Sequence, residues 1–280
     1  AALESGEIDL THQTPTKDVQ RLTREGFVIY DGQPGAFVDV IYASSLGIPD
    51  TKVRQAIMHA IDWEALMNGV YYGTGELGAR MSYPPTSWAF FPDLEEMYAY
   101  DPEKAKALLA EAGYETIDIE YNAVSLDYIQ GGLIMRDSMA AAGINLEVVP
   151  LERTQWLDMY YGGTYGVAMS YIANSNKDPS RLFMNSQYRC ENTPSKSEDW
   201  PVHPETGESY CALMAEASSI PDQETRKELY RKIEEIMAHE AWAIGYRMRP
   251  ANFAGAPYVQ GFDWRIDNGI ILENVWLMPQ

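Results

Sequence analysis

The chain has 280 residues, of which 46% are hydrophobic and 22% charged, and its 41 acidic against 21 basic side chains give a formal net charge of −20. That length points to one large or two smaller domains, and the acidity argues against nucleic acid as a partner, because binding a polyanion needs a basic face. No apolar run reaches the roughly 18 residues that a membrane-spanning helix needs.

In chain order, strand-like pieces come first, at Phe27 to Tyr30 and Val38 to Ala43. Asp50 then caps a helix in which Val53, Ala56, Ile57, Ala60 and Ile61 recur at helical spacing, and the spacing predicts one helix to about Asn68–Gly69. Asp101-Pro102-Glu103 is a second start signal, and that helix runs through Leu108 and Leu109 to Gly113. A third helix is predicted over Tyr128 to Ala142, a polar-aromatic one over Arg153 to Tyr161, and another after Pro221-Asp222. Strands are expected at Thr116 to Asn122, Ile144 to Val149 and Val167 to Ile172. Helix and strand in this alternation indicate an α/β layer with at least some parallel strands. After about Met248 the chain again reads as short strands, ending with Ile270 to Leu277.

Few residues suggest chemistry. Gly73-Thr74-Gly75-Glu76-Leu77-Gly78 spells a dinucleotide fingerprint, but a helix precedes it and prolines follow, so it reads as a surface turn. The histidines at 12, 59, 203 and 239 do not fall at metal-ligand spacing, and the adjacent acids Glu234 and Glu235 read as solvated charges. No catalytic constellation emerges, and no cofactor or metal is expected. Cys190 and Cys211 flank a loop-like stretch. They suggest a disulfide in an oxidising compartment, with two unpaired thiols as the alternative. Trp88, in a proline-bounded loop, and Tyr171, at a strand end, stand where the wall of a small-molecule cleft would be; ordinary packing is the competing reading.

Ordered motifs cover almost the whole chain. Ser5-Gly6-Glu7-Ile8-Asp9-Leu10, the Val53 to Asp62 helix, Tyr100 to Tyr114, Ala142-Gly143-Ile144, Asp178-Pro179 and Arg226 to Tyr230 follow one another as they do in the second half of the family-5 extracellular solute-binding proteins. The chain resembles that family. The resemblance implies an α/β, periplasmic-binding-protein-like type II fold, with residues 1–46 as late strands of a first lobe. Residues 47–247 would form a complete second lobe, and 248–280 would return to the first. It also implies a missing N-terminal portion, or another chain, that covers open strand edges. The implied function is capture of a small solute between lobes, as part of an ABC importer that delivers it to a membrane permease. The implied location is periplasmic or extracellular. A binding module without transport, such as a chemoreceptor partner or an adhesin, is the alternative.

Peptide-binding members of the family often carry a W-x-x-D motif before the Asp-Pro pair, whose Asp holds the peptide amine. Here Ile172 falls at the Trp position and Ser175 at the Asp position. A neutral hydroxyl does not supply the charge-assisted pairing that a buried ammonium needs. The departure favours a neutral or anionic solute, such as an oligosaccharide, an opine-like conjugate or a modified peptide. The resemblance and the loop positions together give Trp88, Asn122, Tyr171, Asn174 and Ser175 as expected solute-binding residues.

Overall fold

The computed structural model describes every residue except 12–13, 33–36, 79–82, 84, 86, 174–177, 181–189, 191–199, 250–251, 265–268 and 280, and residues 172–173 by their backbone alone. Side-chain caps decide where most helices start. Helix α1 spans Thr16–Arg24 and α2 spans Thr51–His59, where the Asp50 carboxylate accepts from the backbone N–H of Lys52 at 2.8 Å. The single helix expected to Asn68–Gly69 is in fact two. Ala60 closes α2, and Asp62, in an extended conformation, accepts from Ala65 N–H at 2.9 Å and starts α3 (Trp63–Tyr71). Asp101 caps α4 (Pro102–Glu111), Ser125 caps α5 (Leu126–Ala140), and α6 covers Arg153–Gly162. Helix α7 (Tyr210–Ser219) precedes α8 (Gln223–Glu240), which Asp222 caps.

The strands are β1 (Val28–Asp31), β2 (Phe37–Ala43), β3 (Glu76–Leu77), β4 (Ile117–Ala123), β5 (Ile144–Pro150), β6 (Val167–Ala173), β7 (Ala243–Arg249) and β8 (Asn252–Gly255). Four two-residue strands follow, β9 (Val259–Gln260), β10 (Asp263–Trp264), β11 (Ile270–Ile271) and β12 (Trp276–Leu277). Six strands form one mixed sheet in the order β3-β7-β2-β6-β4-β5. In it β2 runs antiparallel to both β6 and β7, while β4 runs parallel to β5 and β6. The sequence-based boundary near residue 46 thus separates β2 from strands with which it shares a sheet. The remaining strands pair as β1–β8, β9–β12 and β10–β11, and a small second cluster of Leu3, Leu22 and Ala254 packs with Ile29 of β1.

The main core lies on this sheet, with Val38, Val40, Ile41, Ile57, Leu66, Met135, Ile233 and Ile244 fully buried. Helix α5 reaches the sheet closely because Gly132 has no side chain: a Cβ there would lie 2.5 Å from the Tyr121 ring. Cys190 and Cys211 are joined as a disulfide, with Cα atoms 5.7 Å apart, so the bonded alternative holds.

Two motifs that carry the family resemblance turn out to hold the fold together. Arg54, 1% exposed, donates to the carbonyls of Ile48, Pro49 and Glu240 and to the Glu240 carboxylate. Asp178 receives both terminal nitrogens of Arg226, at 3.0 and 2.8 Å, which ties the Asp-Pro segment to α8.

Reading Glu234 and Glu235 as two solvated acids needs correction. They point apart, as neighbours in a helix must, but Glu234 points into the core, 1% exposed, with Oε1 unpartnered. Burial, reinforced by Glu95, pushes its pKa well above the usual carboxylate range, more than Arg231 lowers it; Glu235 and Asp93 add to the upward push. A folded-state pKa above the unfolded value means the folded state holds the proton longer, so stability falls as pH rises past about 4.5. Glu234→Gln is therefore expected to raise the melting temperature near pH 7.5, by roughly 2–4 °C per kcal/mol of relieved cost. The gain should fade on titration towards pH 4. An equal gain at both pH values, read by thermal melts, would contradict this origin.

Candidate functional site

Because β6 and β7 both oppose β2, and β4 parallels β6, these three strands point towards one edge of the sheet; β6 and β7 end beside the start of β2, while β4 stops level with the first residues of β6. Open α/β sheets bind ligands outside this edge, at the point where successive connections leave in opposite directions. Here β4 leads through α5 outward to β5, whereas β6 leads towards β7 on its other side. The switch point falls between β4 and β6.

The residues at this edge are charged and aromatic. Tyr171 on β6 lies opposite Asp39 on β2, and Asp39 lies opposite Arg247 on β7; one step further out, Phe37 lies opposite Arg249. Register partners share a face of the sheet, so these side chains stand together. Asp39 is fully buried, and its carboxylate takes Arg247 Nη1 at 2.8 Å on one oxygen and Arg249 Nη2 on the other. Between Asp39 and Val40 the register of β7 jumps from Arg247 to Gly245, leaving Tyr246 as the unpaired residue of a bulge. A bulge re-aims side chains, and Tyr246 and Arg247 both reach Tyr71. The two hydroxyls lie 2.8 Å apart, and the Arg247 guanidinium sits 3.9 Å from the Tyr71 ring centre.

Arg249 lies nearer the surface, its side chain 31% exposed. Its guanidinium is 4.7 Å from the centre of the Tyr171 ring, which also meets Phe37 edge-on at 5.8 Å. Tyr128, in the first turn of α5, reaches Arg249 with its hydroxyl, and burial pushes its pKa upward, so it stays protonated. Burial also weighs against the Arg249 charge, but Asp39 more than offsets this and holds the guanidinium cationic.

The expected residues separate in space. Tyr171 stands in this cluster, 48% exposed. Asn122 is buried near the end of β4, where its carbonyl accepts from Trp156 Nε1 at 3.1 Å. Trp88 packs elsewhere, half-buried, edge-on to Tyr230 at 5.8 Å and under Arg226 at 5.3 Å. Asn174 and Ser175 lie outside the described residues. Sequence reasoning missed Asp39, Tyr71, Tyr128, Arg247 and Arg249. An acid inside the apolar run Val38-Asp39-Val40-Ile41 and two arginines alternating at a strand end were the available signals.

Away from this cluster, a cavity of about 450 Å³ is lined by residues that include His59, Asp93, Lys104, His203, Arg231 and Glu235. Its polar groups are largely paired. His203 Nδ1 accepts from two backbone N–H groups at 3.2 Å, so Nε2 carries the proton and donates to Glu235 at 2.9 Å. Among the described residues no group of three His, Cys, Asp or Glu side chains is placed to hold a metal ion.

Residues 1–194 match the family described as bacterial extracellular solute-binding proteins, family 5, middle part. The chain belongs to this family. A family-5 relative, the dipeptide-binding protein of Escherichia coli K12, is 28% identical over 255 residues, which is 87% of this chain and 46% of that protein. The heme-binding protein A of Haemophilus influenzae is likewise 28% identical, over 86% of this chain and 44% of its own length. Among solved structures, the dipeptide-binding protein of Pseudoalteromonas sp. SM9913 in complex with Met-Leu superimposes with a TM-score of 0.81 at 25% identity, covering 99% of this chain and 55% of that one. NikA from Brucella suis in complex with Fe(III)-EDTA gives the same fold, with a TM-score of 0.81 at 21% identity over 99% and 59% of the two chains. The chain thus has the type II binding-protein fold expected from its sequence, and it spans about half the length of these proteins.

Proposed function

We propose that this family-5 protein is the solute-binding component of an ABC importer, working in the periplasm or outside the cell and delivering a small solute to a membrane permease. The observation that supports this most is a partly open cluster of Tyr171, Arg249 and Tyr128 at the carboxyl edge of an α/β sheet in a chain of this family. Flat amphipathic rings with a few directional polar groups suit a small-molecule cleft. The disulfide agrees with an oxidising compartment. In this reading the pieces around β1 and β8 to β12 belong to one lobe, completed by further polypeptide of the same protein or by another chain. The six-stranded sheet and its helices form the other lobe. Solute is held as the lobes close by hinge motion.

Calorimetry of the protein against peptides, oligosaccharides and opine-like conjugates tests the reading. Saturable heat with at least one class is expected, and none with any class would sink it. Stimulation of a reconstituted permease by the solute-loaded protein separates import from the alternative, a binding module for a chemoreceptor or a surface.

A further inference from the structure

Within the edge cluster the charges do not balance. Asp39 offers one carboxylate to two guanidiniums, and it is the carboxylate that acts on Arg249. One positive charge is left over among the described residues, inside a chain whose net charge is −20. The two arginines also differ in how far they are committed. Arg247 is enclosed, 2% exposed, and donates from Nε to the Thr74 carbonyl at 2.8 Å as well as to Asp39. Arg249 spends Nη2 on Asp39, while its Nε, though buried, has no hydrogen-bond partner. A buried donor without a partner carries its desolvation penalty uncompensated, so such a group in a binding protein signals an acceptor still to arrive.

The surroundings select that acceptor. The Tyr171 ring carries the guanidinium on its face, which fixes the plane and leaves the edge as the donating direction. Asp39 holds Nη2 and the Tyr128 hydroxyl also reaches the guanidinium, so what is left is directed N–H donation to one further acceptor, for which a charged oxygen is the strongest partner. Tyr128, in the first turn of α5, brings a protonated hydroxyl to the same guanidinium. A neutral sugar hydroxyl would leave the charge unpaired, and an ammonium would be repelled.

We propose that Arg249, steadied by Tyr171 and Asp39, is the anchor for a carboxylate of the solute, so that the ligand of this protein is an organic acid. This inference rests on the solute-binding reading above and names the chemical class it takes. It also agrees with Ser175 standing where peptide-binding relatives carry an acid for the ligand's amine. Arg249 is then a specificity-determining residue, and Asp39 and Tyr171 are positioning residues.

The test is calorimetry on the protein with matched probes: an N-acetylated dipeptide with a free carboxylate, its C-terminal amide, a phosphate monoester of similar size, and a neutral disaccharide. The carboxylate probe should bind, and its amide should bind at least about tenfold more weakly. Arg249→Gln should weaken the carboxylate probe by about a hundredfold, and Arg249→Lys should retain part of the affinity, because it keeps the charge but not the fork. Circular dichroism melts confirm that each variant is folded, and Lys covers the case in which Gln is not. Equal binding of acid and amide, or unchanged affinity in a folded Arg249→Gln, overturns the anchor and leaves the receptor reading standing. Preference for the phosphate monoester overturns the carboxylate assignment, and no heat with any probe overturns both readings.

Discussion

Replacing Asp39 by alanine is expected to destabilise the protein by about 3–5 kcal/mol, the range for removing one partner of a buried ion pair. Asp39 is fully buried and has two guanidiniums on it, so its loss leaves both charges facing each other under the sheet. The cost comes from those stranded charges rather than from lost attraction. Two companion variants separate the causes. Asp39→Asn keeps an acceptor oxygen and should lose less. A triple variant with Asp39→Leu, Arg247→Met and Arg249→Met removes every charge and should recover most of the stability. The measurement is the urea midpoint at constant slope. If alanine and the triple variant fall equally, the cluster owes its stability to packing and the electrostatic account fails.

Breaking the Cys190–Cys211 bond is expected to cost about 3 kcal/mol on the loop-closure estimate for cysteines 21 positions apart. Cys211 lies in α7 beside Tyr210, whose ring stacks on Trp200 at 5.1 Å and meets Trp242 edge-on at 5.6 Å. Releasing the bond frees the segment that carries Trp200, so tryptophan emission should change before the global transition. Thermal melts with and without reductant, and of the Cys190→Ala/Cys211→Ala variant, check this. Identical midpoints in all three would show that the bond contributes nothing to the folded state.

How much of this was legible in the sequence depended on where the information lies. Helices whose first turn is closed by a side chain announced themselves: Asp50, Asp101 and Asp222 each precede the helix they cap. Among the described residues, helices α1 and α7 escaped notice, and they start at Pro15 and Ser209 without any side-chain cap bond. Asp62 marked a break that hydrophobic spacing alone ran through, since Ala60 and Ile61 continue the apolar pattern across it. Tyr171 was found because an aromatic at a strand end is a local signal. Its partners were not, because Asp39 and Arg249 meet only through the register of strands 210 positions apart. The misreading of Glu234 has the same root. Helical geometry sends neighbouring acids apart, but which one faces the core is settled by what packs against the helix.

The position of β2 has a consequence for how the molecule is made. One of the earliest strands in the chain takes the middle of the sheet, yet its neighbours β6 and β7 are translated last among the sheet strands. Until Arg247 and Arg249 leave the ribosome, Asp39 has neither of its cations, and β2 has one unpaired edge. Such distant pairings form slowly, so a growing chain holds an unmatched acid in an unfinished sheet until it has extended 210 residues beyond Asp39. The same two arginines that complete the cluster thus mark the moment when the sheet can close.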